Sequence, residues 1–195
     1  MKFIKLIIAI FIALSFAGCG TTKSVAIDIP ISNEQSFTFL DERPADQRLA
    51  RNDISRSGTT HFYADDNLTP SPAEILRRVF MNRASQLLKG RTVTLTEFDV
   101  HVTDPDVSLD PNAFYAATNT SAAGTVLAAP AIFGIESIKS YKTVTVEIRG
   151  KIDSTELFAY HSDEFQGRVS EDDIRSVIYV ALDQAIAKVQ STIHD

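Results

Sequence analysis

The sequence predicts an α+β fold: a two-layer sandwich in which a mainly antiparallel sheet of about four strands carries two helices on one face, in the order β-α-β-β-β-α. Three observations predict it. Two segments, 71–89 and 170–193, carry apolar residues at helical spacing along one stripe. The stretch "YKTVTVEIRGKID" alternates apolar and polar residues with period two, as a half-buried strand does. Two one-sided helices then need one sheet face to cover.

The first strand is expected in "SFTFLDER", around Phe37 and Phe39. From Arg43 to Pro70 the chain has little periodicity. That is long for a structureless loop, so part of it is expected to pair as a short hairpin. The first helix follows. Ser71 is placed to cap it, Pro72 suits its first position, and Glu74 completes a capping box. Ile75, Leu76, Val79, Phe80, Ala84, Leu87 and Leu88 form its stripe, and Gly90 suits a left-handed stop.

In "RTVTLTEFDVHV", Val93 and Leu95 share one face while Phe98, Val100 and Val102 have the opposite parity. The slip near Thr96–Glu97 predicts a β-bulge. In the next strand Val144, Val146, Ile148 and Ile152 point to the core. Tyr141, Thr143, Thr145, Glu147, Arg149 and Lys151 point away, so one sheet face is expected to be polar. A tight turn near Asp153–Ser154 leads into "ELFAYHSDEFQGR". The last helix begins at Ser170, with Asp173 three residues on and Glu171, Asp172 and Asp173 at the positive end of its dipole.

The N-terminus has a different character. Lys2 and Lys5 precede an apolar run from Leu6 to Phe16 that is too short to span a bilayer, which takes about 20 residues. Ala17, Gly18 and Cys19 follow. This is the pattern of a secretory signal peptide, and its terminal cysteine, the only one in the chain, resembles a bacterial lipobox. Phe16 stands where such a motif usually has an aliphatic residue. The expected organisation is a lipoprotein signal peptide at 1–18, a stretch at 19–35 that reads mostly as lipidated tether with Cys19 as attachment point and with an edge strand in "VAIDIPI" as the alternative, and a single domain at 36–195. Acyl chains on Cys19, palmitate among them, would hold the chain stably at a membrane. Gly20 replaces the aspartate associated with inner-membrane retention, which leans the expected location toward the outer membrane, facing the periplasm. The net charge of −6 excludes nonspecific nucleic-acid binding.

The lipobox, the short strand, "ADQR" at 45–48, the capped helix, the following strands and the terminal "STIHD" at 191–195 resemble the YajG-type bacterial outer-membrane lipoproteins. That resemblance implies an envelope lipoprotein with no established enzymatic activity and no catalytic residues to carry over. The architecture is also similar to helper lipoproteins of envelope assembly machines, such as the one that plugs the lipopolysaccharide translocon.

Chemistry-bearing motifs are sparse. No nucleophile elbow, zinc-protease helix or phosphate-binding glycine loop is present. His61, His101, His161 and His194 lack helical ligand spacing. His101 and His161 fall on neighbouring strands, where a metal pair competes with ordinary sheet-face histidines. Asp104, Asp106 and Asp110 lack the glycine turn of a calcium loop and read as a solvated acidic loop. Asp41 and Glu42 with His61, Asp65 and Asp66 can be drawn as an acid/base set, though no spacing compels it. Arg43, Arg48, Arg51 and Arg56 are candidate contacts for phosphate or carboxylate groups, against local pairing with Asp41, Glu42, Asp46 and Asp53. No cofactor or metal is expected.

The strongest oddity is "PNAFYAATNTSAAGTVLAAPAIFGI", residues 111–135, within an insertion at about 104–137. It contains no charged residue. It reads as a partner surface centred on Phe114, Tyr115, Leu127, Ile132 and Phe133, or as a segment packed on the sheet's bare face. The function expected is that of a non-enzymatic, lipid-anchored adaptor or assembly factor for an envelope protein. The alternative is a carrier or sensor that binds a small amphipathic envelope ligand under 111–135. A homo-oligomer is compatible with either reading.

Overall fold

The computed structural model describes residues 24–32, 36–55, 58–105 and 141–194. Its elements run β1 (Val25–Ala26), β2 (Thr38–Asp41), a 3-10 helix (Ala45–Arg48), β3 (Arg51–Ser55), β4 (Gly58–Tyr63), β5 (Leu68–Thr69), α1 (Pro72–Arg83), β6 (Thr92–Pro105), β7 (Tyr141–Ile152), β8 (Thr155–Gln166) and α2 (Glu171–His194). The class is α+β, as the two helical stripes and the alternating strands require. The strand count differs from the expected four. The main sheet has six strands, and β1 and β5 form a separate parallel pair.

The sheet is organised by β6, a strand of 14 residues. One of its edges pairs antiparallel with β7 along nearly its whole length. The predicted bulge appears as the register shift between Leu95 and Glu97. Its other edge is shared. β2 runs parallel to the first part, Thr38 opposite Thr92 and Asp41 opposite Leu95, while β4 runs antiparallel to the second, Tyr63 opposite Val100 and Gly58 opposite Pro105. The expected hairpin is β3–β4, with Arg51 facing Phe62 and Ser55 facing Gly58. It adds the two strands that an irregular sequence had concealed. β7 and β8 pair across the tight turn, where Asp153 adopts φ 54°.

Both helices cover one sheet face. Val93, Leu95, Phe98, Val100, Val144, Val146, Ile148, Ile152 and Leu157 point into this core. Ile75, Leu76, Val79 and Phe80 of α1 and Ile174, Val177, Ile178, Ala181, Leu182, Ala185, Ile186 and Val189 of α2 meet them there. The α2 capping box forms as expected: Asp173 Oδ2 accepts from the Ser170 N–H at 2.8 Å, and the Asp173 N–H donates to Ser170 Oγ at 3.2 Å. At α1 the expected box does not form. Ser71 makes no side-chain cap, and the Glu74 carboxylate, which would reach back to the Ser71 N–H, is held instead by Arg77 and Arg78 at 2.7 and 2.6 Å. The α1 segment leaves helical geometry after Arg83 and reaches Gly90, at φ +73°, through successive turns.

The reading of 19–35 as tether is corrected for residues 24–32. This arm lies over the helix layer and buries Val25, Ile27 and Ile29 in the common core. Arg175 Nε donates to the Ala26 carbonyl, Tyr179 Oη to the Asp28 carbonyl, and Asn82 Nδ2 to the Pro30 carbonyl. The alternation in "VAIDIPI" is therefore the signature of an arm packed on one side. Cys19 and the rest of the leader lie outside the described residues.

Candidate docking face

The second face of the sheet carries no element among the described residues. Its side chains form cross-strand rows. Phe62, His101, Thr145 and Ser162 lie in one row; Asp99, Glu147 and Tyr160 in the next; Glu97, Arg149 and Phe158 beyond them. The Phe62 and His101 rings lie 5.3 Å apart, Arg51 stacks on Phe62 at 3.7 Å, and Arg149 sits over Phe158 at 5.0 Å. Thr145 and Ser162 share a hydroxyl hydrogen bond of 3.0 Å. Tyr141, Phe158 and Tyr160 are nearly half exposed, at 46%, 48% and 47%. Phe158 and Tyr160 stand side by side on β8, with Tyr141 further along the same face, and neighbouring exposed rings of this kind mark contact sites.

The face is acidic at its centre. Burial pushes the Glu97 carboxyl above its ordinary range, and the charges of Glu147 and Asp99 add to the shift, while Arg149 pulls it back. Arg149 bridges Glu97, at 3.2 Å, and Glu147. The His101 Nδ1 is 3.6 Å from Asp99, beyond ordinary hydrogen-bond length.

On the helix-covered side, an open groove of about 740 Å³ lies where β4, β6 and β7 extend past the N-terminus of α2. His61, Tyr63, Val102, Lys142, Arg168 and Ser170 are among its walls. The Asp173 N–H at that helix terminus is taken by the Ser170–Asp173 box. Lys142 is paired with Asp104.

Of the two readings of the arginine cluster, local pairing is the one the described members follow. Arg43 is 3% exposed and donates to both oxygens of Asp41 at 2.9 Å and to Asp65 at 3.0 Å. Arg48 donates to the Asp41 and Arg43 carbonyls. Arg51 is committed to Phe62 and Asp53. Arg43 and Arg48 are thus spent within the fold, and the local-pairing alternative holds for both. Arg56 lies outside the described residues. The acid/base set is dissolved by the same geometry. Asp41 and Asp65 are counter-ions of Arg43, Asp66 accepts from the Ala50 N–H at 2.9 Å, and His61 Nδ1 bonds Asn52 at 2.8 Å.

The histidine pair is corrected as well. His101 stands opposite Thr145 on the open face, whereas His161 stands opposite Val146, whose side chain belongs to the core. The two imidazoles point to opposite sides of the sheet and cannot share an ion. No group of three or more potential metal ligands occurs among the described residues. Phe114, Tyr115, Leu127, Ile132 and Phe133, proposed from sequence as the partner surface, and Asp106 and Asp110 all lie outside the described residues.

Tyr141 was placed outward by the sequence, but the exposed rings of β8 were not. Phe158 and Tyr160 sit at the outward positions of an alternating strand, and that parity was the available signal. Comparison with family models, with curated proteins and with solved structures finds no match for this chain.

Proposed function

We propose that this chain is a lipid-anchored envelope lipoprotein that works without catalysis, as an adaptor or assembly factor. In this reading Cys19 carries the lipid at the periplasmic face of the outer membrane, and the domain presents its uncovered sheet face to a larger envelope protein. The YajG-type resemblance points the same way. The observation that carries the reading is the face that bears no element among the described residues, with Tyr141, Phe158 and Tyr160 exposed on it opposite the helix-covered face. No helix among the described residues is long and apolar enough to cross a membrane, which fits anchoring through a lipid.

Site-specific photo-crosslinking in living cells tests it, with probes at Phe158 on the open face and at Phe133 in the uncharged segment of the Cys19-anchored chain. A discrete adduct with another envelope protein is expected. Adducts with lipid alone would favour the second reading, a carrier or sensor of a small amphipathic ligand. That reading draws on the groove beside α2, where the buried Val102 lies beside the cationic Lys142 and Arg168.

A further inference from the structure

Strand β8 is an edge strand of 12 residues, hydrogen-bonded to β7 on one side only. Its direction can be read from one bond: the Tyr160 N–H points away from β7 and donates to Gln184 Oε1 of α2 at 3.3 Å. Backbone groups alternate sides along an antiparallel ladder, and the β7–β8 register is unbroken from Tyr141–Gln166 to Ile152–Thr155. The N–H groups of Phe158, Ser162 and Glu164 therefore point outward too. No described residue accepts from them. Natural edges are commonly blunted by proline, bulges or shortness. This edge has none of these; Gln184 caps one of its N–H groups, and otherwise it is blunted only by the charges of Glu156, Asp163 and Glu164.

We infer that β8 accepts an added strand from a basic partner, a segment alternating Lys or Arg with apolar residues. This rests on the adaptor reading and names the chemistry of its partner. Backbone pairing supplies the recognition in such strand addition, and alternate side chains supply specificity. One side of the incoming strand would lie beside Phe158 and Tyr160, extending the exposed aromatic surface. The flanking charges of the edge are Glu156, Asp163 and Glu164, all exposed. Glu156 faces Lys151 and Asp163 lies 3.2 Å from His161, but Glu164 stands opposite Thr143 and pairs with no cation among the described residues. Pairing with a second copy of β8 would bring two sets of these three carboxylates onto one short ladder. A basic strand neutralises them instead.

The test uses the full chain in mild detergent and two labelled peptides, one alternating lysine with valine and one alternating glutamate with valine, read by fluorescence anisotropy. The lysine peptide should bind at least about tenfold tighter than the glutamate peptide. Ser162→Pro, which removes an outward N–H at an edge position that tolerates proline, should weaken it by about tenfold. Asp163→Lys with Glu164→Lys should abolish the preference without a backbone change, so a folding defect in one variant is exposed by the other. Gln184→Ala, by freeing the Tyr160 N–H, should strengthen binding. Equal binding to Ser162→Pro, binding of neither peptide, or a dimer that Ser162→Pro dissolves would each overturn the inference. An in-cell adduct from Phe158 that survives Ser162→Pro would leave the adaptor reading standing and remove the edge from it. Loss of every protein adduct would remove the adaptor reading itself.

Discussion

Arg43 and Asp65 are 22 residues apart in sequence and 3.0 Å apart in the fold, and the guanidinium between them has no exposed side-chain surface. The pair sits where the chain leaves the edge of β6 after Asp41, turns through the 3-10 helix, and returns to the same edge as β4. Arg43 clasps Asp41 at the departure and Asp65 just after the return. Removing Arg43 leaves a void and two carboxylates that keep 21% and 29% of their side-chain surface in water, at a cost of about 1–3 kcal/mol. Arg43→Ala should lower unfolding stability by that much. Arg43→Lys should fail to restore it, because one ammonium cannot reproduce the guanidinium's fork. Urea denaturation of both variants checks this.

The same clasp gives a pH dependence. Burial pushes the Asp41 carboxyl up, but hydrogen bonds and charge from Arg43, with Arg48 behind it, together hold it below its ordinary value. A depressed carboxylate contributes stability that is fully present above its unfolded value, about 3.9, and is lost as pH falls through the lower folded value. The wild-type chain should therefore lose stability on acidification below about pH 4. Asp41→Asn should be less stable at neutral pH and flatter across that acid range, as measured by thermal melts at stepped pH.

Gly150 has no room for a side chain. A Cβ there would collide with the Thr94 carbonyl oxygen, across the ladder from the bulge. Both atoms belong to sheet backbone, so neither can swing aside. Gly150→Ala should cost roughly 1–3 kcal/mol, as overpacking does. Amide exchange should show faster opening around Leu95 and Gly150 than around Val102 and Val144, at the far end of the same two strands.

Ile27 tests whether the N-terminal arm belongs to the domain. It is 2% exposed, within the common core. Ile27→Ala should destabilise the whole domain by about 2–5 kcal/mol in a single cooperative transition. If 24–32 were a loose tether, the melting temperature would not move.

Phe158 and Tyr160 make the opposite case. They are large, apolar and half exposed, and the core lies behind the other face of their strand. Replacing both with serine should leave stability within about 0.5 kcal/mol. Under the proposed function it should also remove the envelope-protein adduct formed in cells from a probe placed at Tyr141 on the same face. A variant that unfolds would show that these rings support the fold.

Much of the fold was legible because periodicity survives without tertiary information. The inward set of β7, the bulge at Leu95–Glu97, the turn at Asp153 and the α2 capping box all follow from spacing within one segment. The misses share a different cause. β3 reads "RNDIS", five exposed residues with no apolar side to reveal a strand. It is held by pairing with β4, not by burial. The Glu74 half of the box at α1 was lost because Glu74 had two arginines within reach, a competition that a local motif does not register. The arginine cluster had been weighed between ligand contact and local pairing. Only the return of Asp65 to Arg43 decided it.

By itself the sequence determined which residues would be buried on each helix and strand, since a period of 3.6 or 2 is a property of the chain alone. It also determined the class, since two one-striped helices must cover a single sheet face. Tertiary structure decided everything that depends on which segments meet: the sharing of one β6 edge between β2 and β4, the burial of Arg43 between Asp41 and Asp65, the separation of His101 from His161 by the thickness of the sheet, and the free edge of β8. The physical reason is that burial preference is encoded residue by residue, whereas hydrogen-bonded edges and charge partners belong to pairs. Those pairs exist only once the chain has closed on itself.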